Sequence, residues 1–246
     1  MNRILALYIF LLLCGTVSAQ QIVEWSDLQT ITDNSRRTVY YKKGRKQPLR
    51  GKYRIIRGLD EEHVKLSDGM INGDYHRYRD GVLRESGIYV KGKRNGTFTE
   101  YYQDGVTPRK ETPMQQGKID GTVKTYFRNG KIEAEKEYKQ SVESGRERRF
   151  DSKTGEQIFE SHYIDGKKDG EEWEIFEDAS TLRSRIIRHY RNGKLDGSYR
   201  VESTRDGKPY ITIEGQYTDG EKSGQWIEHN YDNNTQTCTW HGEGGA

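Results

Sequence analysis

Two runs of carboxylates have a spacing at which paired acids could act on a carbohydrate. The runs are Glu133, Glu135, Glu137 and Glu171, Glu172, Glu174. Acid catalysis needs a carboxyl group whose pKa is raised in a pocket. Residues two apart along a strand instead share one face, where basic neighbours screen them. The sequence therefore predicts a solvated charged surface here, and hydrolysis of a glycan is the weakest of three functional hypotheses.

The histidines and the cysteines offer no catalytic or metal-binding set. His162 and His189 hold equivalent positions in neighbouring copies of a repeat, but the flanking copies have Glu137 and Gln216 there, so no third ligand recurs. Cys238 is the single cysteine beyond the first nineteen residues, and we expect a free, partly exposed thiol. The motifs of serine hydrolases, zinc proteases and phosphate-binding loops are missing. The sequence predicts no catalytic residue, no metal site and no cofactor.

One basic stretch could bind an anionic partner. Ten basic residues and no acidic one lie between Arg36 and Arg57. The predicted binding residues within it are Lys42, Lys43, Arg45, Lys46, Arg50, Lys52 and Arg54. An acidic protein, a phosphorylated glycan or the lipid headgroups of a cell envelope would fit such a surface. The alternative is a sheet edge whose lysines and arginines prevent aggregation. Nucleic acid is not expected, because 38 acidic residues nearly balance the 41 basic ones.

The elements that must position these residues are copies of one repeat. A glycine recurs at intervals of 23 to 27 residues, with Ser141 in its place once. Its positions are Gly44, Gly69, Gly92, Gly117, Gly166, Gly193 and Gly220. An aromatic or large apolar residue stands three positions before it, and in all copies but the first a second glycine stands four positions after it. Both glycines are predicted to form tight turns, because Asn-Gly and Asp-Gly supply positive φ angles. A further turn is predicted whose glycine stands eight to ten residues after the second glycine, directly after Asp80, Asp104, Asn129, Thr154 or Asp206.

The segments between these turns are too short for helices and are rich in Tyr, Thr, Phe, Trp, Ile and Val. We therefore predict an all-β fold, an extended antiparallel meander of about eight β-hairpins in a single-layer twisted sheet. Only 31% of the chain is hydrophobic, but 17 tyrosines can form a cross-strand ladder with their hydroxyls near water. The unit around Ser141, with Glu147 at an aromatic position, is a predicted weak point.

The segment NGKLDGSYRVESTRDG, residues 192–207, resembles the MORN repeat, and the array resembles the bacterial MORN-variant repeats of antitoxin-like and envelope proteins. The resemblance covers about four fifths of the chain and implies the hairpin fold. It implies no catalytic residues. It does imply one alternative function, an immunity or antitoxin protein that captures a toxin, although export argues against most such partners.

The predicted organisation has four parts. Residues 1–19 read as a signal peptide, with Arg3 before an apolar run and Val17-Ser18-Ala19 as the cleavage site. Residues 20–37 are a capping segment, residues 38–241 the array, and residues 242–246 a flexible tail. The protein is thus expected to be exported, to the periplasm or the surface of a bacterium, or to be secreted.

The favoured hypothesis is an exported, non-enzymatic repeat scaffold. Broad wet faces suit a protein or glycan partner, and an aromatic stripe of Phe98, Tyr101, Tyr126, Trp173 and Trp226 is the predicted contact surface. The last four are its predicted binding residues. The open edges of a meander allow end-to-end pairing, and the oligomeric state stays undetermined at this point.

Overall fold

The computed structural model describes residues 20–177, 183–205, 208–230 and 234–242. The predicted signal peptide, residues 243–246 of the predicted tail and the predicted turn at residues 206–207 lie outside the described residues. The described part is built of strands joined by turns, with one short 3₁₀ helix, Trp25–Asp27. The strands are β1 Gln21–Glu24, β2 Leu28–Thr32, β3 Thr38–Lys42, β4 Gly51–Arg57, β5 Asp60–Ser67, β6 Met70–Arg79, β7 Val82–Val90, β8 Lys93–Tyr101, β9 Pro108–Gln115, β10 Lys118–Ile119, β11 Gly121–Tyr126, β12 Ile132–Lys139, β13 Val142–Phe150, β14 Gln157–Ile164, β15 Lys167–Lys168, β16 Gly170–Glu177, β17 Arg183–Arg191, β18 Lys194–Arg205, β19 Lys208–Thr218, β20 Glu221–Asn230 and β21 Thr235–His241.

Strands β4 to β21 form one antiparallel meander, in which each hairpin continues into the next. Strand β9 pairs with both β10 and β11, and β14 pairs with both β15 and β16, because a bulge divides the second strand in these two units. Among the described residues the sheet has 19 strands, since β1 adds to it by pairing parallel with β4. The predicted all-β antiparallel meander of repeated hairpins is confirmed.

The N-terminal segment covers the first units in two ways. Strand β1 lies along the edge of β4, while β2 and β3 form a separate hairpin. Leu28 and Tyr40 of that hairpin are buried in one core with Tyr53, Leu66 and Phe98 of the large sheet. Since β3 pairs with β2, the large meander begins at Gly51, although the repeat pattern in the sequence begins earlier.

The first glycine of each repeat forms the hairpin turn. Asp68 and Gly69 have φ angles of 50° and 74°, and Asn192 and Gly193 have 51° and 86°, the paired positive φ of a type I′ turn. Ser141 adopts a φ of 70° at the equivalent position. Its hydroxyl accepts a bond of 2.9 Å from the backbone N–H of Ile119, which offsets part of the strain of a non-glycine residue there.

The second glycine of each repeat does not form a turn, so the prediction for it was wrong. Gly73 and Gly197 lie within strands, with φ angles of 122° and 116°, where the register shifts at a β-bulge. The Asn or Asp before this glycine joins neighbouring units. The side-chain oxygen of Asn72 accepts a bond of 3.0 Å from the backbone N–H of Lys91, the first turn residue of the next unit.

The turns therefore stack into a spine along one edge of the sheet. From Gly92 onward, the N–H of the glycine or serine in the turn donates to a carbonyl two residues past the corresponding residue of the preceding turn, as from Gly92 to Ile71 at 2.8 Å and from Gly193 to Lys168 at 2.7 Å. Ser141 keeps this bond, donating to Ile119 at 2.7 Å. The backbone bond explains why the array continues without a break through the unit that lacks the glycine.

The tyrosines of the sheet predict a loss of stability in alkali. Burial raises the pKa of Tyr40 to about 12, and burial together with bonds to Glu111 and Glu147 raises the pKa of Tyr126 and Tyr163 to about 12. An unfolded tyrosine loses its proton near pH 10, so between pH 10 and 12 the unfolded state binds fewer protons than the folded state. We expect the urea midpoint to be unchanged between pH 8 and 9.5 and to fall steadily from pH 10 to 12. A flat midpoint across pH 10 to 12 would contradict this.

Candidate functional site

The two faces of the sheet differ in chemistry. We call one the aromatic face, defined by Tyr75, Phe98, Tyr199 and Trp226, and the other the polar face, defined by Trp173, His189 and Glu214. Side chains alternate between the faces, and directly opposed residues share one. On the aromatic face, the ring of Phe98 lies over Gly87 and that of Trp226 lies over Gly215. Both rings are almost fully buried.

The predicted aromatic stripe is divided between these faces. Trp226 is 5% exposed on the aromatic face and stacks against Tyr199 and Tyr217, so it belongs to the core. Trp173 lies on the polar face beside the guanidinium of Arg185, 4.4 Å from the ring centre. Tyr101 shares a hydrogen bond of 3.0 Å with Ser86, on the polar face of the central units.

Tyr126 lies in the same central region of the sheet. Its hydroxyl donates to Glu111 at 2.7 Å. The structure therefore does not bring the four predicted residues of the stripe together, and of these four only Trp173 borders the groove described below.

The predicted basic residues also lie in several different environments. Arg50 pairs with Asp68, and Arg54 pairs with Glu61 at 2.6 Å. Lys42, Arg45 and Arg50 line a shallow depression of about 400 Å³ with Tyr53. The remaining predicted residues of the stretch are Lys43, Lys46 and Lys52, which are exposed and make no ion pair with a described residue. The stretch thus presents a protruding cationic loop, residues 42–47.

A groove of about 320 Å³ crosses β16 to β20 on the polar face. Its lining residues of the polar face are Glu171, Ile187, His189, Ser198, Arg200, Glu214, Gln216, Gln225 and Ile227. Tyr199 and Gly215, which alternate with these along β18 and β19 and belong to the aromatic face, complete the lining. Two tryptophans continue this surface at either end. Trp173 stands opposite Ile187 in β17, and Trp240 stands opposite Gln225 in the last strand with 63% of its surface exposed.

The polar side chains of the groove are held by short contacts. His189 Nδ1 lies 3.0 Å from Ser198 Oγ, and its Nε2 lies 3.7 Å from Glu171. His229 Nε2 lies 3.4 Å from Glu214. The groove therefore presents carboxylate, amide, imidazole and guanidinium groups in fixed positions, which can exchange hydrogen bonds with a polar ligand.

The Ser198–His189–Glu171 contact has a structural explanation. The ring of His189 covers the bulge at Gly197 and contacts the carbonyl of Ser198 at 3.2 Å. One repeat earlier, His162 covers Gly170 and contacts the carbonyl of Glu171 at the same distance. The equivalent positions of the two histidines thus reflect a shared role at the bulge. Within the described ranges, no three His, Cys, Asp or Glu side chains are grouped to hold a metal ion.

Sequence reasoning missed two features of the sheet. Trp240 was overlooked, although the alternation of TQTCTWH, residues 235–241, indicates an exposed final strand. Glu172 was treated as a surface acid, but it is 1% exposed. It lies on the aromatic face, at the position in its repeat that Phe98 and Trp226 occupy in theirs. Its position in the repeat could have revealed this burial. Glu172 stands nine residues after Tyr163, as the buried Phe98 stands nine residues after Tyr89.

Comparisons with known proteins add no family to this description. A scan against protein-family models found no match, and a search of curated proteins found no relative. In the described part of the chain, no helix has the length and hydrophobicity needed to cross a membrane.

Proposed function

We propose that this protein is an exported, non-enzymatic repeat scaffold that binds a glycan partner in the groove of its polar face. The observation that carries the proposal is the groove itself, with Trp173 and Trp240 at its two ends. The resemblance to MORN-variant repeats and the export of the chain are part of the same proposal. They rest on the repeat motif and on the N-terminal sequence.

The chemistry of the groove favours a glycan over a protein. Sugar rings present apolar C–H faces that pack on tryptophan, and hydroxyl edges that bond to planar polar groups. Glu171, Arg200, Glu214, Gln216 and Gln225 supply such groups along the groove. The two tryptophans lie five strand spacings apart, about 24 Å, which suits an extended chain of several sugar units.

Intrinsic tryptophan fluorescence can test this binding. The full chain would be titrated with soluble peptidoglycan fragments, cello-oligosaccharides and chito-oligosaccharides. We expect at least one of these to bind the unchanged chain. The double variant W173A/W240A lacks both fluorescent groups of the groove, so its binding is compared by affinity electrophoresis. It should be at least tenfold weaker, because tryptophans that become buried at an interface contribute most to binding. Affinity electrophoresis in gels containing the polysaccharide would give an independent measurement.

A matched control removes an aromatic ring from the same face outside the groove. The variant Y101A should bind the glycan as the unchanged chain does. Equal weakening by Y101A would place the interaction elsewhere on the sheet. A different outcome is that none of the glycans binds, and that the chain captures a protein that W173A/W240A does not capture. The proposed glycan ligand would then be wrong, and the proposed binding scaffold would stand.

A further inference from the structure

A second cavity lies on the aromatic face, at the end of β4 to β6 that is opposite to the turn spine. Its volume is about 220 Å³, room for about seven water molecules at ~30 Å³ each, or for a single amino acid. Trp25 and Ile55 form its apolar lining. Its other lining residues are the charged Arg57, Asp60, Glu62, Arg77 and Arg79. This cavity is remote from the groove and its role does not depend on glycan binding.

The charged groups of the cavity are incompletely paired. Asp60 stands opposite Arg57 and Arg79 in the flanking strands, yet its buried Oδ1 has no hydrogen-bond partner and it forms no ion pair with a described residue. The guanidinium of Arg57 lies instead over the ring of Trp25, 3.7 Å from its centre. Arg79 also makes no ion pair within the part of the chain that the structure describes.

The other acid, Glu62, and the third arginine, Arg77, make only long contacts. Glu62 accepts one long bond of 3.3 Å from Tyr75, and burial raises the pKa of its carboxyl group. Arg77 stands opposite Glu62 but its ion pair is with Glu85, at 3.7 Å. The Oδ1 atom of Asp60 is buried without a partner, which is unfavourable, whereas Arg57 and Arg79 are exposed. A ligand that supplies donors to the acids and acceptors to the arginines would pair all of these groups at once.

We propose that this cavity binds an acidic amino acid, a zwitterion with two carboxylates and one ammonium group. Three guanidinium groups and two carboxylates give the cavity a formal charge of +1, which such a ligand complements with −1. Its ammonium group donates to Asp60 and Glu62, and its carboxylates accept from Arg57, Arg77 and Arg79, the pairing in which guanidinium groups are most selective. Phosphate would satisfy the arginines but has no cationic group to pair with Asp60 and Glu62.

Calorimetry with the full chain separates these chemistries. The probes are L-glutamate, L-aspartate, glutarate, 4-aminobutyrate and inorganic phosphate. We expect one of the two amino acids to bind at least tenfold more tightly than glutarate, which lacks the ammonium group, and than 4-aminobutyrate, which lacks the second carboxylate. Phosphate should bind no better than glutarate. Trp25 supplies a second readout, since its fluorescence should change on binding.

Two variants and two controls locate the site. D60N and R79Q should each weaken amino-acid binding at least tenfold, while R45Q and D80N, at exposed positions outside the cavity, should leave it unchanged. Thermal melts verify that the variants fold, and the probe series on the unchanged chain decides the matter if they do not. Equal binding of phosphate, glutarate and the amino acids would show general attraction of anions and overturn the proposal. Absence of binding for all five probes at millimolar concentration would overturn it as well.

Discussion

Replacing Glu172 by alanine will lower the free energy of unfolding by about 3–5 kcal/mol. Glu172 is 1% exposed and pairs with Lys168 and with Arg188, the latter at 3.5 Å. It also accepts a bond of 3.4 Å from the hydroxyl of Tyr190. Its removal leaves Lys168 and the hydroxyl of Tyr190 without this acceptor, whereas Arg188 keeps its ion pair with Glu174 at 3.1 Å. The hydroxyl of Ser161, also buried, has no hydrogen-bond partner. Urea unfolding followed by circular dichroism measures the loss.

The adjacent acid provides the control for this variant. The side chain of Glu171 is 49% exposed on the polar face, so E171A should change the free energy of unfolding by no more than about 0.5 kcal/mol. An equal effect of the two variants would contradict the assignment of Glu172 to the core.

A second variant tests why an acid is tolerated at this position. Lys168 stands five residues after Tyr163. Arg94 and Lys222 hold the same position in their own repeats, and these two cations lie 4.3 and 4.1 Å above the rings of Phe98 and Trp226. The change S161G/E172F recreates the glycine and the aromatic ring of those units and gives Lys168 a ring at position 172, in addition to those of Tyr190 and Phe159, which lie 4.9 and 5.9 Å from it. It should recover most of the stability that E172A loses, since a well-packed apolar group can replace a buried ion pair. If S161G/E172F recovers less than about 1 kcal/mol of the free energy of unfolding, positions 161 and 172 are not equivalent to Gly87 and Phe98.

Replacing Phe98 by alanine is the second large effect, about 3–5 kcal/mol of destabilisation. Phe98 is 1% exposed and contacts the rings of Tyr75 and Tyr89 and the guanidinium of Arg94. Truncation to alanine leaves a cavity in the buried cluster that Phe98 forms with residues of β2 to β6, and the paired strands cannot close it. The loss is measured as the change in the free energy of unfolding in urea.

The glycine beneath the ring makes a double-mutant cycle possible. A Cβ added at Gly87 would lie 2.6 Å from the ring of Phe98, so G87A should cost about 1–3 kcal/mol in the unchanged chain. In the F98A background most of that cost should disappear. The control is G96A, whose position has a φ of 79° and open space around it. Its cost arises from the backbone and should persist in F98A, and a cycle without coupling between Gly87 and Phe98 would refute the contact.

Much of the fold could be predicted because its signals are local. The turns at Asp68-Gly69 and Asn192-Gly193 require positive φ at adjacent residues, and that requirement limits the residue types. Spacing along the chain then fixes the hairpins and their order. The second glycine was misassigned because a bulge and a turn both favour glycine with positive φ, and Gly73 differs only in what its neighbours pair with.

The candidate sites could be predicted only in part. Trp173 is half-buried on the polar face, but Trp226 was selected with it and is buried on the aromatic face. In a strand, a displacement by one residue moves a side chain to the other face. Glu172 stands nine residues after Tyr163, as Trp226 does after Tyr217, so Glu172 shares the face of Trp226. Trp173 is one residue further along the strand and lies on the other face. The stripe was therefore a mixture of two faces.

The sequence by itself determined a meander of hairpins with turns at fixed intervals, since turn geometry and strand alternation are imposed by residues a few positions apart. Only the tertiary structure decided that β1 pairs with β4, that Asn72 joins one unit to the next, and that Trp25 lies over Arg57. It also decided which face carries each ring. These features depend on register and on contacts between distant segments, and their stabilisation comes from burial and pairing that no short stretch of the chain contains.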